Sequence, residues 1–291
     1  MLKVIPFTTA RQLIDFLSPL DKNQWPRQMY VFRGQHCSSF GLVPSAYRSQ
    51  STISASRMWQ KFGGVSASRQ VFYEYNMLLR FFSACDASGL QVSDDSIRVR
   101  QLLDKGTRFF MNPAEWPPEE LQPALATAQH HGVSTCLLDW SWRSYVAAYF
   151  AASGAVRQPH VSNELAVWAL RVDFSNRWEK LSLLTLPGGT TINLAAQAGV
   201  FTVSGIKATA GEHFESTAVE YQDDVYSNLV GSNSGLIKMT LPTSEAPGLL
   251  NLCADLGVKG SVLFPGYEGA AREVNDLAHA YPSVLPEHWE K

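Results

Sequence analysis

The sequence predicts a single α+β domain, and three observations carry that reading. Helical spacings dominate the first half of the chain and strand-like runs the second, without the strand–helix alternation of a parallel α/β sheet. No internal repeat or low-complexity tract occurs, and no linker stands out to divide the 291 residues. Apolar residues make up 45% and charged residues 17%, an ordinary globular balance. A domain of this size buries roughly three quarters of its unfolded surface, so it needs no disulfide or metal staple.

The elements follow in order. Residues 9–19 read as a short amphipathic helix opened by a threonine cap and closed before Pro19. Residues 28–34 (QMYVFRG) read as a buried strand ending at Gly34, and 35–64 as irregular. Val71, Tyr75, Leu78 and Phe82 stand at helical spacing, which predicts a helix over 66–84, broken by the segment 85–95. A second helical stretch covers 96–105. After the loop 112–118, proline marks the entrance to a helix from Glu119 to about His130, and Gly132 its stop. Residues 132–140 read as extended, Ser141 as the cap of a helix ended by Gly154, and 164–172 as a strand. Several strands are expected over 181–250, in TLPGGTTINLAAQAGVFTVSG and GSNSGLIKMTLP, and a last one over 259–266. A terminal helix is expected over 268–281.

The net charge of −2 gives no global attraction to nucleic acid or an anionic membrane, although a local basic patch is compatible with it. Cys37, Cys85, Cys136 and Cys253 are scattered, with neither metal spacing nor a disulfide framework. Without a signal peptide or a long apolar run, the expectation is a soluble cytoplasmic protein with free thiols, no membrane partner and no metal.

Three stretches place polar side chains beside tight-turn glycines: VFRGQ (31–35), QHHGVSTCLLDWS (129–141) and LFPGYEGAARE (263–273). Arg33 ends an apolar strand, where it is either paired within the protein, with Asp139 or Glu268, or aimed into a cleft. Its planar fork suits bidentate contact with phosphate or carboxylate. Gly34 removes the side chain that would block a ligand's close approach. His130 and His131 end a helix, and adjacent helical positions point about 100° apart, which suits a cap better than a metal site. Ser134, Thr135, Asp139 and Ser141 fit a turn and cap as readily as a site. Trp140 and Trp142 are core residues or an aromatic wall. Glu268 in a first helical turn is favoured by the helix dipole without any catalytic role. Asn193 and Gln197 are weaker candidates. Neither GxGxxG, GxxxxGK, HExxH nor GxSxG occurs, which disfavours the common nucleotide-binding and hydrolase classes. A nuclease built on His131 and Asp139 has the thinnest support, since no basic run is present.

Taken together, these blocks resemble the FRG family. They are VFRGQ (31–35), LVPSAYR (42–48), AQHHGVSTCLLDWS (128–141), AAYFA (147–151), AQAGVFT (196–202) and LFPGYEG (263–269). The last block departs from the family's frequent Asp by carrying Glu268. The resemblance implies an FRG domain over 28–291, preceded by an N-terminal helix and lead-in (1–27) and interrupted by a mostly helical insertion (49–118). FRG domains occur in bacterial and phage conflict systems, which implies a toxin or phage-defence role, a macromolecular target and an antitoxin or immunity partner.

The block layout is also similar to that of arginine-type ADP-ribosyltransferases. That likeness implies a split β-sheet core, NAD as substrate and mono-ADP-ribosyl transfer. Arg33 would then bind the NAD phosphate or ribose, Ser134 and Thr135 would line the nicotinamide side, and Glu268 would stabilise the oxocarbenium-like sugar. Glu268, Arg33 and Thr135 are the implied catalytic residues. Arg33, Gly34, Gln35, His131, Ser134, Thr135, Asp139, Trp140 and Tyr267 are the implied NAD-binding set. The alternative is a non-catalytic module holding a nucleotide or phosphate in the same cleft.

Overall fold

The computed structural model describes residues 2–48, 64–159, 161–173, 181–190, 192–215, 218–221 and 235–281, with 55, 58 and 175. Its strands are β1 (Lys3–Pro6), β2 (Tyr30–Gln35), β3 (Leu137–Ser141), β4 (Glu164–Arg171), β5 (Leu181–Leu184), β6 (Gly199–Ser204) and β7 (Leu236–Pro242). The helices are α1 (Ala10–Phe16), α2 (Ala67–Ser88), α3 (Ile97–Asp104), α4 (Thr107–Met111), α5 (Gln122–His130) and α6 (Ser144–Arg157). They continue with α7 (Ile192–Ala196), α8 (Ala246–Asp255), α9 (Gly260–Leu263) and α10 (Tyr267–Ala280).

The seven strands form one sheet in the order β1-β7-β4-β2-β3-β6-β5. Only β1 and β7 run parallel; the other neighbours are antiparallel. A mostly antiparallel sheet with helices gathered around it is the α+β arrangement that the segregated sequence pattern predicts. The lead-in is part of this sheet, because β1 pairs with β7 from Lys3↔Ile237 to Pro6↔Thr240.

Strand β4 lies inside the sheet between β7 and β2, and period-two alternation sends its side chains to two covered faces. Leu165, Val167 and Ala169 pack with α1, α6 and α8, while Ala166, Trp168 and Leu170 face the opposite layer with Val31, Leu138 and Trp140. The helices α2 to α5 enclose a further core with Leu137, Phe201 and Val203.

Where sequence and structure differ, the cause is local and identifiable. Helix α2 runs through the expected break at 85 to Ser88, because it stops only where Gly89 adopts a left-handed φ of 66°. Ser141 belongs to β3 rather than capping a helix; its Oγ accepts from Arg143 N at 2.9 Å and donates to Gln197 O at 2.7 Å. Helix α6 continues through Gly154 to Arg157, since that glycine makes room for His36, whose Cβ would lie 2.8 Å from an added Cβ. In 181–202, the INLAA segment is helix α7 between β5 and β6. Residues 231–234 of the next expected strand lie outside the described residues, and β7 accounts for the remainder. The run 259–266 is not a strand. Glu273 on α10 takes Lys259 Nζ at 3.0 Å and Ser261 N at 3.2 Å, winding Gly260–Leu263 into α9. Short apolar runs are ambiguous between strand and helix by periodicity, and docking on α10 decides this one.

Among the described residues no helix is long and apolar enough to cross a membrane. All four cysteines are buried and unpaired.

Candidate functional site

Strands β2 and β3 share one register pair, Phe32↔Ser141, whereas β2 pairs with β4 along its whole length. Beyond that pair Arg33 Nη1 links the two strands by donating to Asp139 O at 2.7 Å, with the Asp139 carboxylate 3.5 Å away. Both sequence readings of Arg33 therefore hold: it pairs with Asp139, and it faces a cleft.

That cleft is a cavity of about 620 Å³, within the roughly 300–1,000 Å³ typical of small-molecule sites. Its floor comes from Phe32, Arg33 and Gly34 of β2 and Asp139, Trp140 and Ser141 of β3. Gln129 and His130 at the end of α5, with His131, form one wall; Asn193 of α7 and the adjoining Gln197 extend it. Ala147 and Phe150 of α6, Phe264, and Glu268 and Arg272 of α10 complete the other side, with His36 nearby.

Of the residues singled out in the sequence, Arg33, Gly34, His130, His131, Asp139, Trp140, Ser141, Asn193, Gln197 and Glu268 meet at this cavity. Ser134 lines a neighbouring cavity of about 240 Å³ with Ser45 and Arg48, which Arg33, Gln129 and Asp139 also border. Thr135 is buried; its hydroxyl donates a short hydrogen bond to Gln129 Oε1, and Gln129 Nε2 donates to Asp139 Oδ1 at 2.6 Å. Thr135 thus orients Gln129, and it is Gln129 that reaches the cavity. Gln35 is buried beneath the sheet, accepting from Trp168 Nε1 at 2.7 Å and donating to Gly41 O at 3.2 Å. Tyr267 is 97% exposed and does not line the cavity. Trp140 lines it while being almost fully buried, its Nε1 donating to Thr202 Oγ1 at 3.0 Å.

Gly34 has a different reason from the one its sequence setting suggests. A Cβ there would lie 1.9 Å from the carbonyl oxygen of Ala147 and 2.6 Å from the nitrogen of Ala151, both in the α6 backbone. The glycine lets β2 lie directly against α6. At the opposite wall, Gly266 has φ 111° and ψ −173°, a conformation essentially reserved for glycine. A Cβ on Gly269 would sit 1.8 Å from Phe264 O. These two glycines of the PGYEG segment seat the first turn of α10 and so fix where Glu268 stands.

Glu268 is exposed and makes no hydrogen bond or ion pair among the described residues. Its charge reaches His130: burial and the neighbouring His131 lower the His130 pKa, and Glu268 and Asp139 oppose that shift. Asn193 Nδ2 lies 2.6 Å from His130 Nε2, and in the neutral tautomer with its proton on Nδ1 that nitrogen accepts from the amide. Burial also lowers the Arg33 pKa, opposed by Asp139 and reinforced by the nearby charge of Arg48.

Sequence reading passed over Arg272, Gln129 and His36. Arg272 was detectable: Glu268, Arg272 and Asp276 recur every four residues, a spacing that puts them along one helix face. Asp276 is buried and anchors α10 to α6, accepting from Tyr149 Oη at 2.6 Å, Ser153 Oγ at 2.8 Å and Arg157 Nε at 2.8 Å. Its position on that face turns Glu268 and Arg272 toward the cavity. Among the described residues, no cluster of three or more His, Cys, Asp or Glu side chains could hold a metal ion.

The FRG domain model matches residues 28–159, which includes Arg33, Gln129, His130, His131 and Asp139 and leaves Glu268 and Arg272 beyond its end. No curated protein and no solved structure matches the chain. The motif blocks and the family match together show that the chain carries an FRG domain over residues 28–159.

Proposed function

We propose that the cavity binds NAD and that the chain acts as a mono-ADP-ribosyltransferase on a macromolecular target. The observation that carries this reading is the meeting at one cavity of about 620 Å³ of Arg33 and Glu268, from opposite ends of the chain, the latter unpaired among the described residues.

The chemistry asks for those two groups. As the bond between the ribose C1′ and the nicotinamide nitrogen breaks, its electron pair leaves with nicotinamide and positive charge develops on the sugar. A carboxylate placed beside the sugar stabilises that charge, and among the described residues Glu268 has no ion-pair partner to neutralise it. A nucleophile of the target then bonds to C1′ and loses its proton. Arg33, held by the Asp139 carbonyl, offers the rest of its fork to the diphosphate. Gln129 and the neutral His130 supply polar contacts on the wall where Ser134 and Thr135 were expected. The occurrence of FRG domains in conflict systems supports a toxin or phage-defence role, with an antitoxin or immunity protein as partner.

The test is nicotinamide release from NAD by the purified protein, with and without cell lysate. Glu268→Gln should slow release by about 10²–10³-fold, as expected for losing one transition-state electrostatic contact. Its stability should fall by no more than the roughly 0.3–1 kcal/mol of a helix-dipole contribution, because Glu268 is exposed and has no hydrogen-bond or ion-pair partner among the described residues. Full activity in this variant refutes the assignment. NAD binding without turnover in the wild type would favour a nucleotide-binding module.

A further inference from the structure

Two buried side-chain nitrogens among the described residues lack any hydrogen-bond partner: Arg33 Nε and Arg272 Nε. Both arginines line the same cavity. From this coincidence we infer that Arg33 and Arg272 form a two-arginine site for a diphosphate-bearing ligand, with Arg272 as the second cation. The inference rests on the nucleotide reading of the cavity and adds the anion site and the residue that completes it.

A buried N–H without an acceptor carries the full desolvation penalty of that group, and such groups are few in native structures. Two at separate places would call for separate explanations. Two guanidinium groups at one cavity have a shared one, a ligand whose oxygens accept from both. The remaining contacts of each arginine fit that use. Arg33 is held from one side by Asp139 O at 2.7 Å, which fixes its plane and leaves Nε uncommitted. Arg272 lies 4.2 Å over the Phe264 ring and 6.0 Å from that of Phe150, so two aromatic faces hold it without consuming its donors. Its guanidinium has no ion pair among the described residues, although Glu268 stands one turn before it and Asp276 one turn after. Asp276 is committed to Arg157 at 2.7 Å.

The chemistry recognised is that of adjacent phosphates. Phosphate oxygens accept from planar forks bidentately, and two forks suit a group with two phosphorus centres better than a single carboxylate. Diphosphate occurs both as the free ion and within a nucleotide; the cavity's size and the Trp140, Phe150 and Phe264 side chains along it favour the nucleotide.

The test is calorimetric titration of the full chain with ADP-ribose, inorganic pyrophosphate and nicotinamide, comparing wild type, Arg272→Gln, Arg272→Lys and the surface control Arg11→Gln. Arg272→Gln should weaken ADP-ribose and pyrophosphate binding at least about tenfold and flatten the salt dependence of affinity, while Arg11→Gln matches wild type. Arg272→Lys keeps the charge and loses the fork, so it should fall between the two; it also serves if the Gln variant does not fold. A packing role alone would lower the thermal midpoint of the free protein without changing relative affinities. Equal ADP-ribose affinity in wild type and Arg272→Gln overturns the inference, as does a wild type that binds neither ADP-ribose nor pyrophosphate. Arg272-dependent ADP-ribose binding with no nicotinamide release from NAD would uphold this site and refute the transferase reading. Glu268-dependent release unaffected by Arg272→Gln would do the reverse.

Discussion

Gly34→Ala separates two accounts of the glycine that gives the Arg-Gly strand its character. If the glycine serves ligand approach, alanine leaves the fold intact and harms binding. If it serves packing of β2 on α6, alanine harms the fold first. The geometry favours the second. The added methyl would lie 1.9 Å from Ala147 O and 2.6 Å from Ala151 N. Ordinary heavy-atom contacts fall near 3.5 Å, so strand and helix must separate by more than about 1 Å. No flexible side chain can yield, because both obstructing atoms are helix backbone. Moreover, α6 supplies Val146, Ala147, Ala148, Ala151 and Ala152 to the core layer it shares with α1, α8 and β4. Overpacking a core by one methyl commonly costs about 1–3 kcal/mol, and a backbone clash of this depth belongs at or above the upper end. At roughly 2–4 °C per kcal/mol for a chain of this size class, the thermal midpoint should fall by about 6–12 °C or more. The assay is urea and thermal unfolding followed by circular dichroism, with ADP-ribose titration on the same sample. A variant within about 0.5 kcal/mol of wild type that had lost ligand affinity would refute the packing argument.

Two further predictions concern α10 and the cavity wall. Asp276→Ala removes the acceptor of Tyr149, Ser153 and Arg157 together. Breaking a buried ion pair costs about 3–5 kcal/mol, and the 29% exposure of the Arg157 side chain places this case near 3. Urea unfolding should show that loss, with a smaller one for Asp276→Asn; an unchanged midpoint in the Ala variant would show that α10 is not anchored there. His130 should titrate below the usual histidine value by NMR, and Glu268→Gln should lower it further by removing a charge that favours the imidazolium. Because the folded-state pKa is depressed, the unfolded chain takes up the proton first as pH falls. The stability His130 contributes is therefore present above the unfolded pKa of about 6.5 and is lost as pH falls through the folded value. A His130 pKa unaltered by Glu268→Gln would place the carboxylate away from the ring.

Much of this protein is written locally. The 3.6-residue spacing of Val71, Leu78 and Phe82 marks the buried face of α2, and the apolar run ending at Arg171 marks the interior strand β4. Gly132, with φ 88°, ends the α5 turn where a glycine stop was expected. The three polar blocks likewise point to the cavity, since Arg33, Asp139 and Glu268 all reach it. These features are legible because helix and strand periods and glycine conformations depend on near neighbours in sequence.

What only the tertiary structure decided depends on who meets whom across the chain. Gly34 reads as room for a ligand until α6 is laid against it. Gln129 rather than Thr135 reaches the cavity, because the buried Thr135 hydroxyl is spent on Gln129 Oε1. Residues 259–266 have enough apolar character for a strand and become α9 because Glu273 holds Lys259 and Ser261. Arg272 gains its meaning from Arg33, through two unpartnered nitrogens at one cavity. A side chain's spacing says which face it occupies; its partner, and hence its chemistry, is set by packing between segments far apart in sequence.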